Sequence, residues 1–288
     1  MTVLTTSPAP QTGKNGRSEV LGSWEYLHYI GVPDLPPRTS PFDPGYDPAT
    51  LESHLEQSSH LISVLKISMA CWQVANEAST RRKVQAARRL NVPTCTGGGP
   101  FEVAATFGTL PEFLDLCADI GVTNIEAGEG FTDQELDPGE IIRLAEERDL
   151  QVQFEVGKKH GGTFTDDIVG ELIDQGRRWL DAGATKIVVE GRESAQNVGL
   201  FDMQGRLNTQ FAERFVSAYG IDRTIFEAPN KPSQFALLDH FGQAVHLSNV
   251  RIEELLRVEI YRRGLHSDAF QRENLRPTGP RSVGGEPA

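Results

Sequence analysis

Several things are scarce in this chain, and each scarcity removes a class of function. Nowhere does an apolar run approach the roughly 18–20 residues that a helix needs to cross a bilayer. The opening stretch, MTVLTTSPAPQTGKNG, has no apolar core of the kind a secretory signal requires. Cysteine is limited to Cys71, Cys95 and Cys117, widely spaced and without a CxxC pair. A disulfide framework and a structural zinc are therefore not expected, and a reducing cytoplasm is the simple setting. Positive charge is in deficit: 28 basic residues face 40 acidic ones, for a formal charge of −12. Net acidity argues against nucleic acid or an anionic membrane as partner, though not against a small anion in a local basic pocket. No strand is followed by GxGxxG, and GxxxxGKS/T is absent, so dinucleotide and P-loop readings lose their support.

What is present is a repeating beat. Residues 1–20 are Thr/Ser/Pro/Gly-rich and expected to be disordered. Trp24, Tyr26, Leu27, Tyr29 and Ile30 then form an amphipathic patch, read as a short helix that plugs the end of the domain, and Pro33, Pro36 and Pro37 stop it. Seven strands follow at Leu61–Ser68, Val92–Thr96, Thr123–Glu126, Gln151–Val156, Lys186–Glu190, Arg223–Glu227 and Ala244–Leu247. The helices behind them are Ser79–Leu90, Glu102–Phe107 with Pro111–Ile120, Pro138–Arg148, Asp166–Ala182, Thr209–Tyr219, Pro232–Phe241 and Ile252–Arg262. A weak additional strand at Arg38–Phe42 precedes a helix at Pro48–Ser59; it is short, and Pro41 removes a ladder donor. Short buried strands alternating with helices mean a parallel sheet. Eight such units in about 250 residues fit a (β/α)8 TIM barrel with a shortened first strand. The barrel is read as one domain over 21–270, with a loose Gly/Pro-rich tail over 271–288.

Four successive strands end in glutamate: Glu126, Glu155, Glu190 and Glu227. In a barrel the C-terminal strand ends converge on one face, where active sites sit. Crowded carboxylates raise one another's pKa values unless cations compensate. The residues leave two compensators open. One is a divalent cation, for which oxygen ligands select a hard ion such as Mg²⁺. The other is a Glu–Lys/Arg network, since Lys158 and Lys159, Arg192 and Lys231 follow the last three glutamates. Lys66 sits within an apolar strand and must be paired, either with a ligand or with a glutamate. Gly97, Gly98 and Gly99 read as a flexible turn or as backbone that an anion can approach closely. His246 and Asn249 end the eighth strand, where many barrels bind phosphate, though a lone histidine there also reads as a satisfied core residue. Together these residues imply a small, multiply anionic substrate with a carboxylate and a phosphate, and a lysine able to move a proton at carbon.

The blocks GGGPFEVA (97–104), NIEAGEG (124–130), FEVGKK (154–159), VVEGRES (188–194) with VGLFD (198–202), IFEAPNK (225–231), LSNV (247–250) and IYRRGLHSDAF (260–270) resemble the phosphosulfolactate synthase family, over about residues 36–270. The resemblance implies a Mg²⁺-dependent barrel enzyme that adds sulfite to phosphoenolpyruvate in coenzyme M biosynthesis, with a homo-oligomeric assembly. It implies that Lys159 is the general acid that protonates C2 after attack at C3, with Lys158 and Glu155 beside it. Glu126, Glu155, Glu190 and Glu227 are the expected metal set. Lys66, Arg38, Arg192, Lys231, Gly98, Gly99 and Asn249 are the expected substrate contacts. The sequence departs from the family where Pro44 replaces a usual lysine and where Lys66–Trp72 is bulkier than the usual small polar loop. That pattern leaves sulfite, another small nucleophile such as a phosphonate, phosphinate or carbon acid, and a non-enzymatic stress-associated role as competing readings.

Overall fold

The computed structural model describes residues 20–67, 69–130, 135–158 and 161–280. Eight parallel strands form a closed barrel in chain order: β1 (Thr39–Asp43), β2 (Leu65–Ile67), β3 (Thr94–Thr96), β4 (Asn124–Gly128), β5 (Gln151–Val156), β6 (Lys186–Val189), β7 (Thr224–Glu227) and β8 (His246–Arg251). This is the barrel that the strand–helix alternation predicts. The period of two sorts each strand. Ile125, Ala127, Val152, Phe154, Ile187, Val189, Phe226 and Leu247 join the apolar layer under the helices. The alternate positions, among them Glu126, Gln153, Glu155 and Ser248, are buried and polar. A second apolar cluster, including Leu51, Leu55, Ala86, Ala87 and Leu255, packs the helices Pro48–Ser58 and Glu77–Arg89 against the β1–β2 side.

Closure between β1 and β8 is irregular in a way the sequence explains. Ser40 pairs with Ser248 and Pro41 with Val250, so the register shifts and Asn249 is the extra residue. Proline has no N–H to give the ladder, and a bulge absorbs the mismatch. Asn249 accordingly sits at φ 54°, a left-handed conformation that asparagine tolerates better than most side chains.

The N-terminal end of the barrel is clamped by a buried arginine. Arg262, at 0% exposure, donates to the carbonyls of Gln243 (2.8 Å) and Val245 (2.7 Å), to Thr39 Oγ1 (3.1 Å) and to Glu259 (3.0 Å). Arg263 also pairs with Glu259. Burial opposes the Glu259 charge, but Arg262 and Arg263 outweigh it and hold the carboxyl below its ordinary value of 4.5.

Three expectations need correction. The helix Ser23–Tyr29 buries none of its residues, so it does not plug the barrel; Trp24, Tyr26 and Tyr29 stay about half exposed. The segment after Phe270 is seated rather than loose as far as Gly279: Leu275 is buried, and the Gly279 N–H donates to the Ile30 carbonyl. The last strand begins two residues later than the sequence suggests and runs on to Arg251, because the bulge extends its pairing with β1. The expected disorder of residues 1–20 falls almost wholly outside the described residues.

Removing one partner of a buried ion pair typically costs about 3–5 kcal/mol. Arg262→Met should therefore lower unfolding stability in urea by about that much, whereas Arg177→Met, at an exposed pair with Asp174, should stay within about 0.5 kcal/mol. Glu259 also gives an acid signature. Its folded pKa is depressed, so its contribution is present above the ordinary 4.5 and is lost as pH falls through the lower folded value. Glu259→Gln should remove that part of the acid slope.

Candidate active site

The strand alternation delivers the four predicted glutamates to one place. Glu126 on β4, Glu155 on β5, Glu190 just past β6 and Glu227 at the end of β7 all line a cavity of about 850 Å³ at the C-terminal mouth of the barrel. Glu193, Lys66, Arg192, Asn249 and Arg251 are also in its lining.

Lys66 organises the interior. Its Nζ donates to Glu126 Oε1 (2.8 Å) and Asn249 Oδ1 (3.0 Å) and lies 3.6 Å from Glu227 Oε1. Burial works against the ammonium charge, yet Glu126, Glu227 and Glu155 outweigh it and raise its pKa above the ordinary 10.5. Of the two roles the sequence left open, pairing with glutamate is the one observed. Glu126 is saturated further by the Gly98 N–H (3.1 Å) and Gln153 Nε2 (2.8 Å). Glu227 accepts from Asn249 Nδ2 and from the backbone N–H groups of Gly191 (2.9 Å) and Arg192 (3.0 Å). Glu190 accepts from the Arg192 N–H at 2.6 Å.

Two glycines make this crowding possible. A Cβ on Gly157, which sits at φ 122°, would fall 2.7 Å from Glu190 Cβ. A Cβ on Gly191 would fall 2.7 Å from the Glu227 carbonyl oxygen. The glycines in the EVGKK and EGRES blocks are thus imposed by packing between adjacent strand ends. Asp43, at the end of β1, fixes the turn that carries Pro44: it accepts from the N–H groups of Gly45 (3.0 Å) and Tyr46 (2.8 Å) and pairs with buried Lys83 at 2.7 Å.

The other predicted residues divide. Arg192, Gly98, Gly99 and Asn249 line the cavity. Gly98 and Gly99 belong to the first turn of the helix Gly98–Thr106 rather than to a loop, and the Gly98 N–H is used by Glu126. Arg38 is not at the site. It precedes β1, at the opposite end of the barrel, and pairs with Asp222 just ahead of β7. Lys231 is half exposed, 3.8 Å from Asp268 and 5.0 Å from the Phe235 ring centre, and is not among the described lining. Lys158 is exposed beyond β5. Lys159 lies outside the described residues. His246 is a core residue at the N-terminal end. Lys186 Nζ is 3.1 Å from its Nδ1, and Ser40 Oγ is 2.9 Å from its Nε2. Burial, with Lys186, Arg262 and Arg38 nearby, pushes its pKa well below 6.5.

As a metal centre, the four glutamates do not act as one set. Among the described residues no three His, Cys, Asp or Glu side chains converge closely enough to hold an ion, and Glu126 and Glu227 are committed to Lys66. Sequence reasoning also missed two residues. Gln153 faces inward because it lies two residues before Glu155, a signal the alternation contains. Glu102 is buried in the helix Gly98–Thr106, with its Oε1 3.2 Å from where a Cβ on Gly128 would lie. Its position in a largely apolar helix gave no such signal.

The sequence profile described as "(2R)-phospho-3-sulfolactate synthase (ComA)" matches residues 37–268, a span that contains all eight strands. The chain belongs to the phosphosulfolactate synthase family. A phosphosulfolactate synthase of Methanocaldococcus jannaschii is 31% identical over 229 residues, covering 79% of this chain and 91% of that protein. The same-named protein of Methanothermobacter thermautotrophicus is 28% identical, covering 82% and 92%. That of Bacillus subtilis is 29% identical, covering 65% and 75%. Solved structures share the fold alone. Deoxyribose phosphate aldolase from Aeropyrum pernix aligns with TM-score 0.50 at 14% identity, covering 78% of this chain and 89% of that one. A 3-dehydroquinate dehydratase from Geobacillus kaustophilus gives TM-score 0.50 at 12% identity, covering 77% and 89%.

The family's barrel interior thus depends here on Lys66. Lys66→Met leaves Glu126 and Glu227 buried without their cation and should cost about 3–5 kcal/mol at neutral pH. Urea titrations of the two proteins at neutral pH measure the deficit. In the wild type, the raised Lys66 pKa means its contribution is complete below 10.5 and is lost only as pH climbs through the higher folded value.

Proposed function

We propose that this protein adds sulfite to phosphoenolpyruvate to give phosphosulfolactate, in a Mg²⁺-dependent reaction. The observation that carries the reading is the shared cavity of Glu155, Glu190, Arg192, Lys66 and Asn249, within a family match that spans every strand. The sulfur lone pair of sulfite attacks C3. The C2=C3 electron pair moves toward the carboxylate, and C2 then takes a proton. Arg192 and Lys66 offer positive charge to the substrate's phosphate and carboxylate, and the carboxylates of Glu227 and Glu190, which accept from the Arg192 N–H, fix its backbone in place. Lys159 is the general acid in this reading, with Lys158 adjacent.

The donor set fits Mg²⁺ in one limited sense. This ion usually takes one or two carboxylates and completes its shell with water and substrate oxygens. Glu155 and Glu190 would hold it, since Glu126 and Glu227 serve Lys66. Bound there, it would supply the charge neutralisation that a carboxylate gaining electron density requires. The described lining has five glutamates against Lys66, Arg192 and Arg251, so an anionic substrate needs such compensation. Cys71, Cys95 and Cys117 are unpaired, in keeping with a reducing compartment, and among the described residues no helix is long and apolar enough to cross a membrane. The half-exposed aromatics of the helix Ser23–Tyr29 support a homo-oligomer.

Phosphorus NMR tests this directly. With phosphoenolpyruvate, sulfite and Mg²⁺, the enol-phosphate signal should give way to that of a secondary alkyl phosphate. Lys159→Ala should lower kcat by about 10²–10⁴-fold, the usual contribution of a general acid. An unchanged enol-phosphate signal, or a Lys159→Ala protein as fast as wild type, would sink the reading. Glu190→Gln should weaken activity and shift the Mg²⁺ dependence to higher concentration.

A further inference from the structure

The cavity is larger than the proposed reaction requires. At about 850 Å³ it lies within the roughly 300–1,000 Å³ that accommodates drug-sized ligands. Phosphoenolpyruvate and sulfite together fill only a fraction of it. The surplus is not spread evenly. The β4–β7 side carries the glutamates, whereas the β2–β3 side is walled largely by Met69, Ala70, Pro100 and Val103, with Gln73 as its polar member and Phe42 beside them on the neighbouring strand β1. Met69 and Ala70 come from the turn after β2, and Pro100 and Val103 from the helix Gly98–Thr106. Met69 holds its place at φ 48°, an uncommon conformation for a residue with a side chain. The apolar wall also runs outward: Val103 is 47% exposed, and Phe107, four residues further on, is 78% exposed.

Sulfite gains nothing from such a wall, because an anion against apolar side chains loses hydration without new hydrogen bonds. A nucleophile with the same reacting atom and an apolar substituent would use both halves. We propose that this flank accepts the organic group of an alkyl- or arylsulfinate, which adds to phosphoenolpyruvate through sulfur. The inference rests on the reading of the cavity as a phosphoenolpyruvate site. A sulfinate keeps the sulfur lone pair of sulfite and replaces one oxyanion with carbon. It therefore brings less negative charge into a lining where glutamates outnumber the described cations. The lone pair forms the S–C3 bond, the C2=C3 pair moves onto C2 and the carboxylate, and a proton delivered to C2 takes up that pair. The product is a 2-phospho-3-sulfonylpropanoate, and no oxidant or reductant is consumed.

The full chain, given phosphoenolpyruvate and Mg²⁺, is assayed by phosphorus NMR with sulfite, methanesulfinate and benzenesulfinate. The expected order of kcat/KM is benzenesulfinate, methanesulfinate, sulfite, with the first exceeding the last by about tenfold or more, the scale at which a pocket reads an apolar group. Val103→Trp fills the flank from a partly exposed helix position and should reduce the benzenesulfinate-to-sulfite ratio about tenfold. Turnover with sulfite alone, or a ratio that Val103→Trp leaves unmoved, overturns the proposal and leaves sulfite addition standing. If the variant is insoluble, the wild-type order decides by itself. Failure to consume phosphoenolpyruvate with any of the three overturns sulfite addition and this inference together.

Discussion

One buried cation holds the functional end of this barrel together. Lys66 reaches from β2 to a glutamate on β4, another on β7 and an asparagine on β8. At an effective dielectric near 20, each close opposite charge is worth about 4 kcal/mol before desolvation is subtracted. The net gain is modest, but the geometric effect is large. Glu126, fixed by Lys66, receives the first N–H of the helix after β3. Glu227, fixed by the same lysine and by Asn249, receives two N–H groups from the turn after β6. The start of the helix after β3, the turn after β6 and the bulge within β8 are thus ordered from one point, and a loss at Lys66 would propagate around the mouth.

The backbone strain follows the same geometry. Met69, Arg192 and Asn249 all have positive φ, and all three line the cavity. Left-handed conformations cost of order 1 kcal/mol or more for residues with side chains, and they persist where surrounding contacts over-determine them. Arg192 is held by Glu227 and Glu190 through its own N–H. Asn249 is held by Lys66 and Glu227 at a bulge that Pro41 imposes across the ladder. A proline in the first strand, a defect by local rules, is therefore linked to the side chain that completes the Lys66 network.

How much of this the sequence discloses depends on whether a residue's role is local. The glutamates of β4–β7 are legible because strand alternation and strand direction together place them at one face. Gln153 was equally available, two residues from Glu155. Arg38 was misread for want of the same rule: it lies before β1, so parallel strands put it at the N-terminal end, with Asp222 before β7. Glu102 follows no local pattern, since a helix position gains its meaning only when the Gly128 backbone packs against it. Leu275 and Gly279 likewise find their contacts, in the buried layer and at Ile30, only through tertiary packing.

Two interior lysines show what the glutamates do to chemistry. Lys186, at the N-terminal end, is partly buried with Arg38 nearby, and both effects lower its pKa. Lys66, at the mouth, is also buried, but its carboxylate neighbours reverse the outcome and raise its pKa. A lysine serves as a carbonyl nucleophile only when a useful fraction is unprotonated, and proton transfer is most effective when the donor's pKa lies near the working pH. Lys66 meets neither condition. A Schiff-base aldolase built on Lys66 is therefore disfavoured, although aldolase-type barrels share this fold. Lys66 is better understood as a lasting positive charge that orients the acids around it.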